Sequence, residues 1–145
     1  MKPENAPISD DEWLLRRVRI ERFRTEKIPV ISPNAFEPRT KGRDVDIEGI
    51  SLYRAACLSS PTEILKLIDV DRQHEVGIVR IPVLILKELG LSVQIRIDSR
   101  ILGNVVIPEL NAHDYEADKA RFTSIKALLA SVASEAGNIL IIPRL

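Results

Sequence analysis

The stretch GISLYRAACLSSPTEIL, Gly49 to Leu65, sets an arginine inside an apolar, alternating run. A guanidinium keeps its charge at physiological pH. On the face of a strand shared with Ile50, Leu52, Ala56 and Leu58, Arg54 therefore needs a carboxylate, a cluster of carbonyls or a bound anion. Two chemistries follow. In the first, Arg54 forms a structural pair with an acid of the Asp44–Glu48 segment or with Glu109. In the second, it clamps a pyrophosphate through bidentate hydrogen bonds, with Asn111 and Tyr115 adding donors near a helix N-terminus and Glu109 beside them. Tyr53 and Tyr115 are then the stacking platforms, because aromatic residues are only 4% of the chain.

The remaining reactive side chains point away from a metal or a nucleophile. Cys57, His74 and His113 are too few and too scattered for a zinc site, which uses three or four ligands with local spacing. Cys57 alternates with apolar neighbours and reads as a small core residue. DVDIEG, Asp44 to Gly49, begins like a calcium loop, but its twelfth position is Ala55 where a bidentate glutamate belongs. It reads as a solvated turn. No phosphate-binding loop, dinucleotide fingerprint or nucleophile elbow is present.

Formal net charge is zero over 145 residues, so the overall field does not select nucleic acid or an anionic membrane. The distribution is uneven. From Arg16 to Arg43 there are nine Lys/Arg against three acids, whereas acids exceed bases by three from Asp44 onward. RRVRIERFR within Arg16–Lys27 is a basic arm able to meet phosphates, yet its glutamates dilute the charge and it lacks interleaved aromatics. A solvated face, or a face for an acidic protein partner, fits it better.

PNAFEPR, GISLYRA and VIPELN, spread from Pro33 to Asn111, resemble phrases of a group of small uncharacterised bacterial proteins. That resemblance implies no activity, but it draws attention to Arg39, Arg54, Glu109 and Asn111. Over Ile50–Ile97, LYR followed by a turn, SPTEIL entering a helix and two further strands is similar in outline to the start of ADP-ribosyltransferase-type domains. The resemblance implies NAD as cofactor, contacted by Arg54, with Glu109 orienting the ribose. The chain has no Ser-Thr-Ser tract and no Glu-x-Glu pair, which that family uses.

The elements that must position these residues read as follows. SDDEWLLRRV predicts a short helix, its carboxylates capping the N-terminus. Arg19 to Gly49 is extended or looped and wraps the core. Ile50 to Leu58 is β-compatible, and Ser60, Pro61 and Glu63 form a capping box for a helix to about Ile68. EVGIVRI is a strand, and Pro82 opens the helix PVLILKEL, closed by Gly90. LSVQIRID alternates as a half-buried strand. Asn111 or Asp114 caps one long helix through Tyr115, Phe122, Leu129 and Ala136, which Gly137 ends before a buried final strand NILIIPRL.

The expected architecture is a single compact α+β domain: a small mixed sheet covered by a long C-terminal helix and several short ones. Residues 1–9 form a flexible tail and 10–145 the domain, with 10–49 a charged arm. The chain suits one core, and a single cysteine fits a reducing cytoplasm. No apolar run reaches the length of a membrane span. The expected function is a non-enzymatic intracellular bacterial module that binds a protein partner, with no metal or cofactor; a homo-oligomer is compatible with it. The alternatives are an NAD- or nucleotide-binding transferase and, second, nucleic-acid binding through the basic arm.

Overall fold

The computed structural model of the chain describes residues 2–24, 29–96 and 100–144. Its first strand, β1 (Trp13–Arg19), occupies the segment expected to be a helix. The reason lies in burial on both sides. Leu14 and Val18 point into one core and Leu15 into another, so the apolar residues do not alternate visibly with polar ones. A short ribbon of β2 (Phe23–Arg24) and β3 (Val30–Ile31) follows, and brings Phe23 and Ile31 into the main core.

The main sheet is completed by β4 (Ile50–Arg54), β5 (Val76–Pro82), β6 (Gln94–Ile95), β7 (Asn104–Ile107) and β8 (Ile139–Ile141). Its order is β6-β7-β4-β1-β5-β8, and all five neighbouring pairs are antiparallel. The molecule is a compact α+β fold, as expected. On one face, Leu14, Leu52, Val79 and Ile107 pack under Leu86, Phe122 and Leu129 of the covering helices. The other face, with Leu15, Tyr53 and Ile78, lies beneath Ile64 and Leu65.

Several elements differ from expectation. The strand at Ile50 ends at Arg54, because Ala55–Cys57 turns into a 3-10 segment. Pro61–Leu67 is also 3-10 rather than α-helical. Ser60 caps it by accepting from the Thr62 amide, and Glu63 reaches back to the Ser59 amide, one residue before the reciprocal position of a capping box. The helix α1 (Val83–Glu88) forms as expected, and Gly90 closes it at φ 76°.

The long C-terminal helix is broken. Asn111 caps α2 (Ala112–Ala117), Asp118 leaves helical geometry at φ −155° and ψ 80°, and a 3-10 turn leads into α3 (Thr123–Ala133). The final strand is at the sheet's edge and is half exposed rather than buried. Of LSVQIRID, Gln94–Ile95 form the described strand, the Arg96 amide adds a bond to the Asn104 carbonyl, and Ile97 and Asp98 lie outside the described residues. Gly49, at φ 121°, is required where β4 begins, because a Cβ there would collide with the Ile107 carbonyl. Among the described residues no helix is long and apolar enough to cross a membrane.

Candidate functional site

Arg54 is buried, at 4% exposure, and its partner is neither Glu109 nor an acid of Asp44–Glu48. It is Glu12. Arg54 Nε and Nη2 donate to the two carboxylate oxygens of Glu12, each at 2.8 Å, a bidentate pair. The remaining donors go to backbone: Nη1 to the carbonyls of Ala6 at 2.7 Å and Pro3 at 3.3 Å, and Nη2 to Pro7 at 3.3 Å. Residues 3–7, within the segment expected to be a flexible tail, are thus strapped across one end of β4. The hydrogen bonds to Glu12 push Arg54 further up from its ordinary value, and the same bonds hold the Glu12 carboxyl below the usual carboxylate range.

The other expected ligand residues are dispersed. Glu109 lies at the opposite end of β4 from Arg54: the Ile50 amide bonds Leu110, whereas the Arg54 amide bonds Gly103. The two ends are four residue steps apart, roughly 13 Å. Glu109 accepts from the Ser92 amide at 2.8 Å and the Ser92 hydroxyl at 2.6 Å. Burial raises its carboxyl, but these bonds outweigh the burial and leave it below its ordinary value.

Asn111 is committed as a cap: its Oδ1 accepts from the Asp114 amide, and its Nδ2 donates to Pro108 and to Asp114. Tyr115 is buried against Phe122, and its hydroxyl accepts from Lys126 at 2.9 Å. Tyr53 is buried in the second core with Arg17 above its ring. Burial pushes the Cys57 thiol up, away from an activated nucleophile. Among the described residues no group of three or more His, Cys, Asp or Glu is placed to hold a metal ion.

Arg39, the last expected ligand residue, lines a different feature, a cleft of about 670 Å³. Its floor is the C-terminal half of β1, and its walls come from the loop around Pro38–Asp46 and from the 3-10 segments near Ile68 and Arg72. Seven basic and six acidic side chains line it. Arg39 pairs with Asp44, and Arg72 with Glu75. Among the described residues Arg16, Arg17, Arg19 and Arg22 have no carboxylate within ion-pair distance.

Arg16 shows how this floor is built. Its Nη1 donates to the Ser51 carbonyl at 2.8 Å and its Nε to the Ala35 carbonyl at 3.0 Å. Burial pushes its pKa down to about 10. A desolvated guanidinium exerts a stronger field on an incoming anion than one in water. The signal for this cleft was the basic arm Arg16–Lys27, which contains RRVRIERFR; its residues 25–27 lie outside the described residues. What sequence alone missed is that its first four residues, Arg16 to Arg19, end a central strand. Compared with known families, curated proteins and solved structures, the chain matches none of them.

Proposed function

We propose that this protein is a non-enzymatic intracellular binding module that grips a protein partner in the arginine-floored cleft along β1. The observation that carries the reading is the set Arg17, Arg19 and Arg22, with no described carboxylate within ion-pair distance, inside a cleft of mixed charge. Arginine is the cation best suited to bidentate capture of carboxylates at an interface. The six acids of the same cleft work against a polyanion such as a nucleic-acid strand, whereas a protein segment carries both signs and meets them in register.

The transferase alternative has less to stand on. An NAD pyrophosphate needs free guanidinium donors, and those of Arg54 are taken by Glu12 and the strap carbonyls. Glu109 stands at the far end of the strand.

The test is charge reversal. Arg17→Glu/Arg19→Glu is made, its fold checked by circular dichroism and thermal melting, and its binding compared with wild type by affinity capture, then by titration with the purified partner. The expected result is a partner held by wild type, released by the double variant and weakened steeply by salt. Retention indifferent to reversal, or high affinity only for an oligonucleotide, overturns the reading.

A further inference from the structure

We propose that the partner segment is an extended peptide with acidic side chains at alternate positions, added as a strand along the open side of β1. This rests on the reading of the cleft as a protein-binding site and specifies what enters it.

The two ladders of β1 are unequal. Toward β5 the pairing is unbroken from Trp13↔Pro82 to Arg19↔Val76. Toward β4 it runs only through Leu14↔Arg54 and Leu15↔Tyr53, although β4 extends back to Ile50. Continued in the same register, Arg17 would face Ser51. Instead the Arg16 guanidinium takes the Ser51 carbonyl, filling by a side chain what a closed ladder would fill by backbone.

The stretch Arg17–Arg19 is therefore extended, paired on one side and open to the cleft on the other. A strand in this condition is a template for addition of another strand, its backbone groups supplying affinity and its alternate side chains specificity.

The side chains define the sequence of the addition. Val18 points into the core at 2% exposure, while Arg17 and Arg19 share the opposite face. They are two strand residues apart, roughly 6.6 Å, which is the spacing of alternate side chains on an extended peptide. Arg17 is further oriented by the Tyr53 ring, 6.0 Å from its guanidinium carbon. Glutamate or aspartate at positions i and i+2 of the incoming strand therefore meets both arginines, as opposite charges do across a ladder.

The experiment is isothermal titration of the full chain with three kinds of synthetic peptide. The first alternates Glu and Thr over eight residues. The second has the same composition with its glutamates grouped at one end. The third is the alternating peptide N-methylated at every second residue, made in both registers. The alternating peptide is expected to bind at least tenfold more tightly than the grouped one, and one N-methylated register to lose a further tenfold or more.

Equal affinity for alternating and grouped peptides, or indifference to N-methylation in both registers, overturns the strand-addition inference while leaving the cleft a protein site. No binding by any peptide, with the natural partner still released by Arg17→Glu/Arg19→Glu, overturns it as well. Failure of that reversal to release a partner removes the functional reading itself.

Discussion

Replacing Arg54 by alanine strips the charge that holds residues 3–12 against the sheet. The pair is nearly closed to water, with side-chain exposures of 5% for Arg54 and 13% for Glu12. Removing one partner of a buried ion pair typically costs about 3–5 kcal/mol, since the other charge is left buried and unpaired. Here the carbonyls of Pro3, Ala6 and Pro7 lose their donor too. At roughly 2–4 °C per kcal/mol for a chain near this size, the melting point should fall by about 6–20 °C. Calorimetry gives the midpoint, and hydrogen exchange should show the amides of residues 4–12 losing protection before the rest of the sheet. In the Arg54→Ala background, Glu12→Ala should cost at least about 1 kcal/mol less than in wild type, because the stranded carboxylate is gone. A midpoint within about 3 °C of wild type, with unchanged protection of the strap, would refute the account of Arg54 as the bolt of this corner.

Glu12 also sets a pH dependence. Its folded-state pKa lies below its unfolded one, so the pair's contribution is present in full above the unfolded value of about 4.3 and is lost as pH falls through the lower folded value. Urea midpoints of wild type and Glu12→Gln should differ by a constant amount between about pH 5 and 7 and converge in acid; a gap unchanged through that acid range contradicts the assignment. Asn111→Ala should destabilise by about 1 kcal/mol as a lost helix cap, with Asn111→Asp retaining most of it, measured by thermal melting. Gly42 and Gly49 both have positive φ, but only Gly49 abuts the Ile107 backbone. Gly42→Ala should cost about 1–2 kcal/mol in urea unfolding, and Gly49→Ala should be far more damaging.

The α+β class and the positions of β4, β5, β6 and β8 were legible because their patterns are local, whereas β7 at Asn104–Ile107 was not read as a strand. β5, α1 and the Gly90 cap follow from residues within a few positions of one another. The need of Arg54 for counter-charge was legible as well, since a buried guanidinium cannot shed its proton. Its partner was not. Glu12 is 42 residues away, inside an acidic run that local rules read as the cap of a helix. That misreading and the helix expected at Trp13 have one cause. A central strand buried on both faces shows Leu14, Leu15 and Val18 without a clean period of two, and the tertiary setting overrides the local signal. The break at Asp118 has a different origin, because the apolar spacing from Tyr115 to Phe122 continues through it. There an aspartate that prefers to cap restarts the helix by accepting from the Arg121 amide.

The two ends of β1 do opposite work. Its N-terminal end is paired on both sides, and Glu12, just before it, is bolted to Arg54. Its C-terminal end is paired with β5 alone, and holding it open toward β4 is unfavourable in itself. Arg16, half-buried, gives up part of its hydration to satisfy a carbonyl that a closed ladder would satisfy with backbone. A sequence selected for stability alone would place an apolar residue at Arg16 and zip β1 to β4 through Arg17 and Ser51. The chain instead keeps arginines on both faces of the strand where the ladder parts, and places its buried ion pair, Arg54–Glu12, at the other end. Departures from local consistency of this kind collect where a protein does its work. On the proposed reading, the strap at Arg54 would serve more than its own corner: by fixing the closed half of β1 it would leave the open half free to take the peptide.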